Sequence, residues 1–225
     1  MGLEKVIPDM ASLGVFTRLL ARSATGQPIT TYTSVYRKPE EGKEIHLIIV
    51  DNGRTQSLAD AEHFRRVAEI VKSDPTRRYV VPSAPGKRYS DDIKVTDMLY
   101  TCYDEVCAGK NAITAFAPIA ERFNGIISDL GLTISLDEEY EIIMENFRKQ
   151  AGKDYAASRG EYLNGIILAN YLGFEFVDAA KCVRFNDNGS FNLELTIEKT
   201  AKHLAHRERA VIPGFYGKMP NDTIK

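Results

Sequence analysis

A chain of 225 residues with 44% hydrophobic and 27% charged residues can bury the core of one domain, or of one domain with an appendage, and is not a disordered polymer. Its formal net charge of -2 gives no basis for a nucleic-acid or anionic-membrane partner. No apolar run spans a bilayer and the N-terminus has no signal-peptide layout. Cys102, Cys107 and Cys182 have no metal spacing and cannot all pair, so a reduced, cytoplasmic setting is expected.

In chain order, residues 15–20 suggest a short helix, and 29–36 alternate β-branched and aromatic residues like a half-buried strand. Residues 39–43 form a charged hairpin loop, and 45–50 a buried strand ending at Asp51-Asn52-Gly53. Ser57-Leu58-Ala59-Asp60 starts a helix with a serine cap and an acid three residues on, and Leu58, Ala61, Phe64, Ala68 and Val71 mark its apolar face. Tyr79, Val80 and Val81 predict a buried strand. The following segment to Lys87 breaks it with prolines and Gly86, exposing backbone amides, the Ser83 hydroxyl and a cation. A helix opens at Val95, with Thr96 and Asp97 placed to cap its first turn. A strand, a Gly-containing loop and a helix N-terminus form a common small-anion site in α/β sheets; they equally form an ordinary βα connection.

Three further helices follow, over 113–130, from Ser135-Leu136-Asp137-Glu138 (a capping box) to about 151, and over 154–172. On the last, Ser158 and Glu161 share a face and could address one ligand, with Gly160 leaving space for a close approach; a solvated surface helix reads the same way. Residues 174–177 and 182–185 predict short strands, 187–189 a turn, and 196–207 a helix. His203 and His206 on that helix have no third ligand near them in sequence and read as a solvated face, so no metal site is expected. Residues 210–213 form a final strand, with Gly214-Phe215-Tyr216-Gly217 as its loop.

Three of these stretches carry a resemblance. Val-Pro-Ser-Ala-Pro-Gly-Lys at 81–87 with Lys-Val-Thr-Asp-Met-Leu at 94–99, Ser-Arg-Gly-Glu at 158–161, and the Gly-Phe-x-Gly turn at 214–217 resemble the substrate motifs of aspartate kinases, in the amino-acid kinase family. The resemblance runs over residues 57–225. It implies a three-layer α/β/α fold with a mainly parallel sheet, truncated before the nucleotide-binding half. It also implies transfer of the ATP γ-phosphoryl group to the side-chain carboxylate of L-aspartate, with ATP and magnesium as cofactors. Both reactants are anionic, so such catalysis consists of alignment and charge neutralisation. On the matching positions, Ser83, Ala84 and Thr96 would hold aspartate, Glu161 would receive its ammonium, and Phe215 would line its pocket. Gly86, Lys87, Asp97, Ser158, Arg159, Gly160, Gly214 and Gly217 would support them.

The chain departs from that family in two places. Asn52-Gly53-Arg54-Thr55 stands where the family has Lys-Phe-Gly-Gly, so the phosphate-neutralising lysine is absent; Arg54 offers charge on a longer, planar head. The Arg-Gly-Gly-Ser-Asp motif that follows in the family is also absent. Residues 2–55 instead resemble a segment of the iron–sulfur proteins of bacterial lactate utilisation, carried by Ala-Arg-Ser-Ala-Thr-Gly-Gln-Pro-Ile-Thr-Thr-Tyr-Thr-Ser at 21–34 and Val-Asp-Asn-Gly-Arg at 50–54. Clusters need several thiolates and residues 1–101 contain no cysteine, so no iron–sulfur centre is expected.

The expected organisation is an N-terminal segment, 1–56, supplying a first strand, and an aspartate-binding part, 57–225. Three functions follow: an aspartate kinase, incomplete and inactive alone; a non-catalytic aspartate-binding or oligomerising remnant, self-associating through an uncovered sheet edge; and an assembly partner in lactate utilisation.

Overall fold

The computed structural model describes residues 58–225 and, as backbone, two earlier strands, β1 (Thr33–Lys38) and β2 (Lys43–Val50). The expected helix at 15–20, the Ser57 cap and the Asn52–Thr55 stretch lie outside the described residues. β1 and β2 pair antiparallel, Thr33 opposite Ile48 and Lys38 opposite Lys43; the expected loop residues 39–42 lie outside the described residues. β2 pairs in parallel with β3 (Arg77–Pro82), which pairs in parallel with β5 (Ala210–Val211), and β4 (Glu175–Phe176) lies in parallel on its far side. The strand order is β1-β2-β3-β5-β4.

Period-two alternation on the two central strands sets the layers. Val80 and Val211 enter one core, and their neighbours Val81, Ala210 and Ile212 enter a second. Against the first pack α1 (Ala61–Lys72), α2 (Val95–Cys107), α3 (Ala112–Asp129), α4 (Asp137–Arg148) and α5 (Lys153–Leu172), through residues such as Phe64, Leu99, Phe123, Phe147 and Leu163. Against the second pack α6 (Ala179–Cys182) and α7 (Leu193–Leu204), through Ala179, Cys182 and Leu204, with Val183, Phe185 and Tyr216 between them. The result is a helix-rich three-layer α/β arrangement with a small, mainly parallel sheet.

Several local expectations are corrected. Asp60 itself caps α1, accepting from the His63 amide at 3.0 Å. The predicted apolar stripe is buried as expected. The capping box on α4 does not form: the helix starts after Leu136, and Ser135 Oγ accepts from the Asp137 amide instead. Neither Thr96 nor Asp97 caps α2, whose N-cap is Lys94 with no side-chain bond. The expected strand at 182–185 does not form: the turn capped by Asp178 takes Cys182 into α6, and Arg184 and Phe185 keep only isolated bridges to Lys218 and Phe191. His206 lies beyond the end of α7 and not on one helix face with His203. Among the described residues no helix is long and apolar enough to cross a membrane.

Candidate functional site

Helix α5 is buried almost all round, which a core helix between two layers must be. Gly160 lets it approach the loop after β3: a β-carbon there would lie 2.8 Å from the Ala84 β-carbon and 3.7 Å from Val95 Cγ1. One turn on, the Asn164 side-chain amide donates to the Ser83 carbonyl at 2.6 Å. Beside it the Ala84 amide donates to the Glu161 carboxylate. The same loop joins the last strand through the Gly214 amide, which donates to the Pro82 carbonyl at 3.2 Å. Val95, the first residue of α2, donates to Pro85 at 3.4 Å. Residues 82–85 thus touch, by hydrogen bond, α5, the start of α2 and the 214–217 turn.

Glu161 is the chemically unusual member. It is 4% exposed, and its Oε2 has no hydrogen-bond partner. Burial raises its carboxyl to about 8; its own amide and that of Ala84, then the charge of Arg159, oppose the rise. A buried carboxylate with one oxygen held by the backbone and one unpartnered is a receptor for a cation with N–H groups.

Arg159 is buried and stacks against Tyr155, Tyr162 and Tyr216, with its guanidinium carbon 4.6, 4.5 and 5.2 Å from the three ring centres. Its Nε donates to Ser158 Oγ at 3.0 Å, and that hydroxyl donates to the Tyr155 carbonyl at 2.6 Å. Ser158 is therefore committed within its own helix. Tyr216 Oη donates to Asp178 at 2.8 Å, which anchors the 214–217 turn from below. Gly217 is required there: a β-carbon would stand 2.5 Å from Val183 Cγ1. Phe215, half-buried, holds φ at +75°, a left-handed value that a bulky residue rarely adopts.

The outer part of the loop is stiffened by a buried ion pair. Arg122 on α3 reaches Asp92 at 2.7 Å and donates to the carbonyls of Gly86 and Ala59 at 2.8 and 3.0 Å. Arg88 adds two bonds to the same carboxylate at 2.8 Å, while Lys87 donates to the Ser90 carbonyl at 3.2 Å. Thr96 lies half-buried in the first turn of α2, and Asp97 next to it is exposed.

Of the sequence-derived site residues, the structure brings Ser83, Ala84, Gly160, Glu161 and Gly214 together, with Thr96 and Phe215 one residue from bonded or packed neighbours. Lys87 and Asp97 lie at the periphery, and Arg54 is outside the described residues. Sequence reasoning did not single out Asn164, Asp92, Arg122 or Asp178. Asn164 had a signal, one helical turn from Gly160 and Glu161; the others join segments too far apart for spacing to connect. Among the described residues no three His, Cys, Asp or Glu side chains come together as a metal cluster.

The described fold is an α/β fold of amino-acid kinase type. Structurally the chain is similar to the aspartate kinase of Clostridium acetobutylicum, with a TM-score of 0.72 and 43% identity over 75% of this chain and 39% of that one. Aspartokinase III of E. coli in complex with aspartate and ADP shares the fold at a TM-score of 0.62 and 21% identity, over 80% of this chain and 42% of that one. In sequence, Aspartokinase 3 of Bacillus subtilis (strain 168) is 31% identical over 175 residues, 72% of this chain and 38% of the relative. Lactate utilization protein B of Bacillus thuringiensis (strain Al Hakam) is 36% identical over 104 residues, 41% of this chain and 22% of the relative. No family model matches. Aspartokinase homologues thus cover most of this chain, and lactate utilization protein B matches a segment of it; the chain spans well under half of each relative.

Proposed function

We propose that residues 57–225 form an aspartate-binding site of aspartokinase type, and that the 225-residue chain by itself holds L-aspartate without phosphorylating it. The observation that carries this reading is Glu161: a buried carboxylate, one oxygen unpartnered, beside the Ser83–Ala84 peptide and the 214–217 turn. The ammonium of an amino acid supplies the charge and the N–H donors that this oxygen lacks. Ser83, Ala84 and Thr96 would offer a hydroxyl and backbone amides to the ligand's carboxylates, and Phe215 a wall. Glu161 would not act as a nucleophile or base; it binds and orients.

Phosphoryl transfer would also need a cation on the transferred group. Asn52-Gly53-Arg54-Thr55 occupies the place of the family's lysine motif, and in the described residues the two cations of the loop, Lys87 and Arg88, are turned to Ser90 and Asp92. The proposed chemistry of residues 57–225 therefore stops at holding aspartate.

Calorimetry with L-aspartate, beside trapping of aspartyl phosphate as its hydroxamate with ATP and magnesium present, tests both halves. Saturable binding without hydroxamate is expected. Absence of binding sinks the site, and steady hydroxamate formation sinks the claim of inactivity. The match to lactate utilization protein B favours a second reading, in which residues 1–56 dock onto a cluster-bearing assembly; co-purification with such subunits, indifferent to aspartate, would establish it. Self-association through a sheet edge, the remaining proposal, is read by sedimentation.

A further inference from the structure

The Ser83 carbonyl and the Ala84 amide belong to one peptide group, and in a trans peptide they face opposite ways. Helix α5 holds both ends of it. Asn164 Nδ2 donates to the carbonyl at 2.6 Å, and the Glu161 carboxylate accepts from the amide. The two side chains stand three residues apart, hence on one helical face. The orientation of the Asn164 amide follows from its partner, since a carbonyl only accepts and the nitrogen must face it. Asn164 is fully buried in the middle of a helix, where an asparagine is neither a good helix former nor free to be buried without reason.

We propose that Asn164 is the positioning residue of the site: by fixing the carbonyl end of the Ser83–Ala84 peptide, it aims the Ala84 N–H at Glu161 and leaves the other carboxylate oxygen for the ligand. The inference deepens the aspartate-binding reading and rests on it for its ligand, while the clamp itself does not. Gly160 complements it, since the close approach of α5 to Ala84 is what puts both side chains within reach. The titratable groups that act on Glu161 are Arg159 on its own helix and Tyr100 on α2; the loop presents the Ala84 amide. Of these, only the amide depends on the peptide's orientation.

The experiment uses the whole chain labelled with carboxyl-¹³C glutamate and ¹⁵N-alanine. The Glu161 signal is the one missing from Glu161→Gln. In the parent chain it is expected to titrate near 8, with the Ala84 amide shift following it. Asn164→Leu keeps the branched shape and removes the donor; Asn164→Ala removes the donor with less bulk, in case leucine does not fold. Either variant is expected to raise the Glu161 midpoint by about one pH unit and to uncouple the Ala84 amide from it. A loss of packing alone would leave both unchanged. L-aspartate calorimetry across pH adds the ligand: affinity should rise through a midpoint that moves upward in the same variants. Unmoved Glu161 and Ala84 titrations overturn the role of Asn164 even where aspartate binds. Shifted titrations with no aspartate binding to the parent chain uphold the clamp and overturn the aspartate reading.

Discussion

A β-carbon on Gly160 would stand 2.8 Å from the β-carbon of Ala84, closer than two carbons can approach. The contact is with a side chain that has nowhere to swing, so an added methyl must push α5 away from the loop that Glu161 and Asn164 hold. Gly160→Ala gains up to about 1 kcal/mol of helix propensity and loses about 1–3 kcal/mol to overpacking. The expected outcome is a small net loss of stability in a urea titration, with at least a tenfold fall in L-aspartate affinity. Unchanged affinity would mean that the close approach has no part in binding.

Burial moves Glu161 from an ordinary 4.5 to about 8, so the folded chain binds a proton there that the unfolded chain has released. The stability linked to that proton is fully present below 4.5 and is lost as pH rises through about 8. Glu161→Gln should abolish the slope and, above pH 8, stabilise the ligand-free chain on the order of a few kcal/mol. Melting temperatures from pH 5 to 9 check this. The same variant is expected to lose aspartate binding, so one substitution would raise stability while removing function.

Asp92 has the opposite sign. Its hydrogen bonds to Arg88 hold its carboxyl far below the usual carboxylate range; burial opposes them, and Arg122 reinforces them. Its contribution is present above 3.8 and is lost as pH falls through the folded value. Both Arg122→Met and Arg88→Met leave the buried Asp92 charge short of partners; Arg122→Met, which also empties a buried site bonded to two carbonyls, should cost about 3–5 kcal/mol, and Arg88→Met, whose own side chain is exposed, about 1–3 kcal/mol. Equal losses in the two variants by urea unfolding would contradict the assigned burial.

Phe215 keeps a left-handed backbone that asparagine tolerates better. Phe215→Asn is therefore expected to change the melting temperature by only a few degrees, since relief of about 1 kcal/mol of backbone strain offsets lost apolar contact. If the ring lines the ligand pocket, L-aspartate affinity falls about tenfold or more in the same variant. Retained affinity would place the ring outside the pocket.

What the sequence disclosed follows from the range of each signal. The α1 stripe and the 214–217 turn depend on neighbours within a few residues, and both appear where expected. The caps were less legible, because a capping pattern allows more than one start: α1 begins after Asp60, and α4 after Leu136 and not Ser135. Residues 182–185 look like a strand by apolar content; the turn capped by Asp178 takes Cys182, and only isolated bridges remain at Arg184 and Phe185. The motif residues of the site were readable through resemblance. The Asn164 clamp and the Asp92–Arg122 pair were not, since each joins segments 30 or more positions apart.

The seam between the two central strands has a temporal consequence. Arg78 and Glu208, joined across it, are 130 positions apart, and Gly214 reaches Pro82 over a similar interval. While a ribosome is still making this polypeptide, the 82–85 loop has no opposite wall. The loop gains that wall only after residues 210–214 have emerged, so, on the proposed function, a nascent chain halted before position 210 would not bind L-aspartate, however well its helices had already gathered.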